Sequence, residues 1–410
     1  MEFLKVDTLK IAIGKIFSAV NEWLYSHEMV SLATAHRRIL AEDIFAPQNL
    51  PDFRRSSVDG YAVLAKDVAG AGDNSPAFLQ MVGAVLIGQD TDLQMQSGQC
   101  VEVPTGGVVP TGADAVVMVE YVENFGENGV AVSSPVATFD NIVEVGDDMK
   151  MGEMLLERGS VLSPKNIGAL AAIGITEVPV YSQPKVSIIS TGDELVSPED
   201  DVPMGKIRDI SSHSLKGVAV KNGFDVVDSA VLPDNINLLE ETLRHGMKTS
   251  DIIVVSGGSS YGKYDITAKA IENVANPGIF THGLTLKPGK PTILAVDNAS
   301  QTLIIGLPGH PVSAIVVFEL LMKNIRHTQL RCLTAPPIPA RLTGNVPADG
   351  GKMTVYPCTL TWNGETYLAT PVFGKSAAIT TLTKADGYFI IDAGIEGLPQ
   401  DANVLVHLWE

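Results

Sequence analysis

Two stretches, PKVSIISTGDELV at 184–196 and DIIVVSGGSSYGKYD at 251–265, carry one pattern. Each is a short apolar run, 186–190 or 252–256, that ends in a loop of small residues. Further strand candidates lie at 225–232, 292–296 and 302–306, and helical patterns fill 212–222, 237–247 and 267–274. Strands alternating with helices predict a mainly parallel sheet covered on both faces. In such sheets ligands bind beyond the carboxyl ends of the strands. This places Thr191, Gly192 and Glu194, and Ser256, Gly257 and Gly258, at a candidate binding edge. Small residues there let a ligand approach the backbone, and amides at a following helix N-terminus suit an anion. A generic glycine turn is the competing reading for each loop alone. Neither loop is a Walker sequence or a GxGxxG fingerprint, which disfavours P-loop and dinucleotide readings.

Moving outward, LKPGKP at 286–291 and GLPGHP at 306–311 set Lys287 and Lys290 on proline-stiffened turns near Pro308 and Pro311. Fixed positive charge suits an anionic ligand, although most lysines simply face solvent. The carboxylates near these loops are Asp193, Glu194, Asp209 and Asp265. Magnesium often takes only one or two carboxylates together with phosphate and water, so these are candidate ligands if they converge.

The flanks are organised differently. Leu9, Ile13, Ile16, Phe17, Val20 and Leu24 predict an amphipathic opening helix capped by Asp7 or Thr8, and a second short helix is expected over 35–44. From 46 to 145 prolines, glycines and short apolar runs predict a small β-rich module. It contains SSVDGYAV at 56–63, where Asp59 reads as a turn cap, and a glycine- and proline-dense loop at 104–114 that includes Thr105. Ser163 as N-cap, Pro164 at N1 and Gly174 as terminator then define another helix. After 334 the chain reads as a small β domain, with Asn363-Gly364 as a hairpin turn.

The formal charge is 29 − 47 = −18, which makes a nucleic-acid-binding protein unlikely as a class. Cys100, Cys332 and Cys358 are odd in number and far apart, which argues against a disulfide framework, a structural zinc site or an iron–sulfur cluster. A cytoplasmic location is expected. No signal peptide is read at the N-terminus. The apolar stretch 303–322 is interrupted by Pro308 and Pro311, so no membrane span is expected.

Taken in order, these segments resemble the molybdopterin molybdenumtransferase family, which includes the E domain of gephyrin. The matching stretches are SSVDGYAV (56–63), PTGGVVPTGADAVVMVE (104–120), PKVSIISTGDELV (184–196), GKIRD (205–209), DIIVVSGGSSYGKYD (251–265), LKPGKP (286–291) and GLPGHPVSA (306–314). The resemblance implies a multidomain α/β protein with four domains. These are a helical linker domain (1–45 plus 146–183), an inserted β-rich domain (46–145), a molybdopterin-binding α/β domain with a mainly parallel sheet (184–327) and a C-terminal β domain (328–410). It implies a homodimer and an upstream molybdopterin adenylyltransferase. It also implies the last step of molybdenum cofactor synthesis: adenylylated molybdopterin and molybdate are substrates, AMP leaves in a magnesium-dependent step, and molybdenum stays on the dithiolene sulfurs.

By motif position the resemblance gives Glu194 and Asp265 to Mg2+, and Asp59, Thr105 and Asp209 to shaping the substrate or molybdate site. Thr191, Gly192, Ser256, Gly257, Gly258, Lys287, Lys290, Pro308, Pro311 and Ser376 are implied as substrate-binding. This chain departs from the family pattern at Ser211, Tyr261, His310 and Pro357, the last standing where an arginine is common. Those departures define an alternative, a non-catalytic relative that binds cofactor or scaffolds a partner. A nucleotide amidohydrolase using the same α/β domain is a further alternative, which the flanking domains oppose.

Overall fold

The structure, a computed structural model, describes residues 6–20, 26–258, 266–330 and 336–409. The chain divides into two compact units. One comprises Met1–Ala41, Gly159–Leu162 and Val178–Glu410; the other comprises Glu42–Arg158 and Ser163–Glu177.

The first unit is built on a six-stranded sheet, ordered Asp225–Leu232, Lys185–Thr191, Ile252–Ser256, Thr302–Leu307, Ile293–Asp297 and Pro277–His282. The first four are parallel, with Val186 opposite both Val226 and Ile252, and Ile252 opposite Leu303. The last two are antiparallel. The expected strands at 292–296 and 302–306 therefore form a hairpin rather than a crossover. Only a few residues separate them, too few for the helix that a parallel connection needs. Ile252, Ile253, Val254 and Val255 are all fully buried, as apolar side chains on both faces of a covered strand must be.

Helices Ser211–Lys221 and Pro311–Leu330 share one core with the sheet, and Ile236–Gly246 and Ile266–Val274 share the core on its other face. The opening helix, Leu9–Ala19, is capped by Thr8 Oγ1, which accepts from Ile11 N at 3.3 Å. It buries Ala12 and Ile16 in the first of these cores.

A second six-stranded sheet in this unit is ordered Leu286–Lys287, Met353–Trp362, Tyr367–Pro371, Ile338–Leu342, Asn403–Leu408 and Gly387–Ile391. Its Met353–Trp362 and Tyr367–Pro371 hairpin turns at Asn363, whose Oδ1 accepts from Glu365 N and Thr366 N, and Gly364 lies at φ +102°. Pairing of Leu286–Lys287 with Met353 and Thr354 brings this sheet up against the lysine turn.

The second unit has a six-stranded sheet of Ala115–Met118, Gly60–Val63, Gln99–Val103, Ala77–Ala84, Gly129–Val132 and Val122–Phe125, in that order. Its helix Pro164–Ala172 has the expected punctuation. Ser163 N donates to Asn166 Oδ1 at 3.0 Å, and Gly174 at φ +78° ends the helix.

The helix expected over 35–44 does not form. A single 3-10 turn, Leu32–Thr34, precedes Arg37 at φ +65°, and Ile39 and Leu40 make bridges to Val161 and Val180. Two short apolar residues satisfied by neighbouring strands override a weak local helical signal. Cys100 and Cys358 are buried, and burial pushes both thiols up to about 12, so they pack as small apolar groups. Cys332 lies outside the described residues. Among the described residues no helix is long and apolar enough to cross a membrane.

The C-terminal strand Asn403–Leu408 carries His407, whose Nδ1 lies 3.3 Å from Lys323 Nζ and whose ring stacks on Tyr388 at 5.3 Å. Burial, and then the Lys323 charge, hold the His407 pKa below its ordinary value. The folded pKa lies below the unfolded one, so the unfolded chain binds the proton more readily. The stability linked to this group is full above about pH 6.5 and is lost as the pH falls through the depressed pKa. The melting temperature of the wild type should therefore fall more steeply from about pH 7 to about pH 5 than that of H407F. Parallel curves would remove His407 from the acid sensitivity.

Candidate functional site

The parallel strands place their carboxyl ends side by side, and a cleft opens there. Its walls include Ser190, Thr191, Gly192, Glu194, Ser256, Gly257, Gly258, Pro308 and Pro311. Over the described residues it encloses about 920 Å³. The sequence assignments converge here because each loop follows a strand of the same sheet.

Glycine is structurally required at this edge. A Cβ on Gly257, at φ +111°, would meet the Thr191 carbonyl oxygen at 2.1 Å. One on Gly258 would meet Thr267 Oγ1 at 2.6 Å. Thr267, in the first turn of Ile266–Val274, donates from its hydroxyl to Gly257 O at 2.9 Å and fixes the turn. Ser190 is fully buried and Thr191 nearly so, yet neither hydroxyl has a partner among the described residues. Buried hydroxyls ordinarily find partners, and a ligand in the cleft would supply them.

Carboxylates also line the cleft. Gly192 leaves room for Glu194, whose carboxylate atoms lie 2.8 Å from where a Cβ would stand. Asp193 Oδ1 accepts from Asp234 N at 3.1 Å, and Asp234 lines the same cleft. Burial, with the Asp193 and Glu194 charges adding to it, raises the Asp234 pKa above the usual carboxylate range. Asp234 went unnamed in the sequence reading, although a signal existed. It follows strand Asp225–Leu232 at the same carboxyl edge.

Asp209 lines no wall of the cleft. Its carboxylate is 3% exposed and accepts from Ser212 N and Ser212 Oγ, holding the first turn of Ser211–Lys221. Its neighbour Ser211 does reach the cleft. Asp265 and Tyr261 lie outside the described residues. Among the described residues no three His, Cys, Asp or Glu side chains form a ready metal cage.

Lys287 and Lys290 line a neighbouring chamber of about 580 Å³, with Asp349, Lys352, Tyr356, Pro357 and Ser376. Lys287 Nζ lies 2.9 Å and Lys352 Nζ 3.4 Å from Asp349, on separate oxygens. The hydrogen bond from Lys287 is the main cause that holds the Asp349 carboxyl below its usual range. Lys287 and Lys352 share Asp349, so this group of three carries one net positive charge, and Lys290 lines the same wall. Pro291 lines both spaces. His310, on the cleft side, meets Ser376, on the chamber side, at 2.9 Å between Nδ1 and Oγ.

In the second unit Asp59 and Thr105 come together. Asp59 Oδ1 accepts from Thr105 N at 2.7 Å and from Thr105 Oγ1 at 2.9 Å. These two hydrogen bonds, the backbone one first, hold the Asp59 carboxyl below its ordinary pKa.

Three family models match the chain in succession: MoeA N-terminal region (domain I and II) over 8–174, probable molybdopterin binding domain over 187–327, and MoeA C-terminal region (domain IV) over 339–409. The chain is 33% identical to the molybdopterin molybdenumtransferase of Bacillus subtilis (strain 168), across 93% of this chain and 89% of that protein. It is 35% identical to the molybdopterin molybdenumtransferase of Haemophilus influenzae, across 73% of this chain and 72% of that protein. The crystal structure of the molybdopterin biosynthesis moeA protein from Pyrococcus horikoshii OT3 superposes with a TM-score of 0.83 at 30% identity, covering 99% of this chain and all of that one. By sequence along its whole length and by its multidomain α/β fold, this chain belongs to the MoeA family.

Proposed function

We propose that this protein is a molybdopterin molybdenumtransferase. It takes adenylylated molybdopterin and molybdate, releases AMP with magnesium present, and leaves molybdenum on the dithiolene sulfurs. One observation carries the reading. The buried Ser190 and Thr191 hydroxyls, unpartnered among the described residues, stand beside the Gly257-Gly258 turn at the end of a parallel sheet. Hydroxyls and close backbone at such an edge suit phosphate oxygens. The relatives from Bacillus subtilis and Haemophilus influenzae, both named molybdopterin molybdenumtransferase, support the same chemistry.

In this reading Thr191, Gly192, Ser256, Gly257 and Gly258 bind and orient the pyrophosphate, and Pro308 and Pro311 stiffen the opposite wall. Lys287, Lys290 and Ser376 hold an oxyanion in the adjoining chamber. Asp209 supports the cleft through the helix turn that carries Ser211. The Asp59–Thr105 pair of the second unit would, by the family resemblance, act on substrate or molybdate. Oxygen donors alone at Glu194 and Asp234 fit a hard cation such as Mg2+, which takes few protein carboxylates and completes its shell with phosphate and water. Asp265, the second ligand expected from the sequence, remains a proposal for this role. When bound, the ion would neutralise charge on the departing phosphate.

We read the molecule as cytoplasmic and homodimeric, with the four-domain division given above. A molybdopterin adenylyltransferase would supply its substrate. The alternative of a non-catalytic cofactor-binding relative draws on Pro357, which lines the chamber where the family resemblance expects an arginine. The deciding assay incubates the protein with adenylylated molybdopterin, molybdate and magnesium and follows AMP. Binding without turnover would favour the alternative.

Glu194→Gln and Asp234→Asn keep shape and remove charge. Each should slow magnesium-dependent AMP release by on the order of a hundredfold while leaving the melting temperature nearly unchanged. Wild-type turnover with unchanged magnesium dependence would end the metal role for that residue. Gly257→Ala forces the turn away from Thr191 and should raise KM for adenylylated molybdopterin at least about tenfold. An unchanged KM in a well-folded variant would show that the turn does not meet the substrate. Sedimentation should give twice the 43.5 kDa chain mass, and a lone 43.5 kDa species at micromolar concentration would refute the homodimer.

A further inference from the structure

We propose that His310 is a positioning residue that makes Ser376 a switchable hydrogen-bond donor, so that oxyanion binding in the lysine chamber is coupled to a proton on His310. The proposal rests on the oxyanion role given above to that chamber. The geometry carries it. His310 belongs to the cleft wall and Ser376 to the chamber wall, and their side chains meet at 2.9 Å through Nδ1 and Oγ. The backbone locks this contact, because Val312 N donates to Ser376 O at 3.1 Å at the start of helix Pro311–Leu330. Gly309, beside His310, packs against Gly257, where a Cβ would stand 3.6 Å from the Gly257 Cα.

A hydroxyl has one proton and two lone pairs. In the neutral imidazole with its proton on Nε2, Nδ1 is bare, and Ser376 donates to it and turns lone pairs towards the chamber, which disfavours an anion. When Nδ1 carries a proton it donates to Ser376 Oγ. The serine proton is then free to point into the chamber and bind an oxyanion. Protonation also adds one positive charge at the rim. The step is a proton transfer: hydronium gives its proton to Nδ1, one N–H bond forms as one O–H bond breaks, and water is left.

Among the described residues, the charged and titratable groups that line the two spaces meeting at this pair are Asp193, Glu194 and Asp234 in the cleft and Lys287, Lys290, Lys352, Asp349 and Tyr356 in the chamber. Lys375 precedes Ser376 in sequence. Histidine is the side chain among them whose ordinary titration falls near neutral pH.

The test is equilibrium dialysis of molybdate, and separately of sulfate, against the full chain in buffers from about pH 5.5 to about pH 8. It uses wild type, H310A, H310N and S376A, with melting temperatures confirming the fold. Wild-type affinity should tighten by about tenfold from the alkaline to the acid end, the scale of one added charge-assisted hydrogen bond. H310A should lose that dependence, and S376A should keep only the part that comes from the imidazolium charge. H310N, whose amide can donate at every pH, should bind with a flat profile. A wild-type profile without pH dependence, or one that H310A retains, overturns the proposal. AMP release measured on the same preparations separates the two levels. Molybdate-dependent release with a pH-flat oxyanion affinity sinks the His310 role and leaves the enzyme reading standing. Absence of AMP release with the pH-linked binding intact does the reverse.

Discussion

The close approach of two strand ends governs this site. At Gly257 the chain runs so near the Thr191 carbonyl that no side chain fits between them. That approach follows from the parallel register of Lys185–Thr191 with Ile252–Ser256, in which Ser190 stands opposite Ser256. Because the pair is buried on both faces, the register cannot slip without exposing Ile252 through Val255. The sheet core thus fixes where the turn sits, and the turn fixes where Ser190 and Thr191 present their hydroxyls. Thr267 closes the arrangement from the next helix.

Charge is distributed by the same logic. A chain with a net charge of −18 has no general attraction for anions, so any anion site must be assembled locally. The lysine chamber joins two elements distant in sequence. The turn after Leu286–Lys287 supplies Lys287 and Lys290, and the neighbouring sheet supplies Lys352 and Asp349. One aspartate shared by two lysines restrains the ammonium groups without cancelling the positive charge. These pairs are largely exposed, so their worth lies in placement more than in stability.

The carboxylates divide by what already occupies them. Asp209 is consumed by Ser212, and Asp59 by Thr105. Glu194 and Asp234 stand in the cleft close enough that their charges oppose one another, which is part of the raised pKa of Asp234. Crowded like charge in a partly buried cleft is relieved by a cation, and this is the physical basis for reading the pair as metal donors.

The sequence by itself determined the order and type of the elements around the site. Strands 225–232 and 252–256 have the ends read from the sequence, and Ser163, Pro164 and Gly174 punctuate their helix as composition requires. Those signals are local, carried by a few residues whose backbone preferences are strong. They also put Thr191, Gly192, Glu194, Ser256, Gly257 and Gly258 at one edge, since one rule about parallel sheets covers them all. Tertiary structure alone decided the rest. Local pattern put a helix at 35–44, where bridges from distant residues impose extended chain at Ile39 and Leu40. It could not separate Asp209, spent on a helix turn, from Asp234, open to the cleft. Nor could it bring His310 to Ser376 across sixty-six residues of sequence. Such contacts depend on packing between elements far apart in the chain, which no local preference encodes.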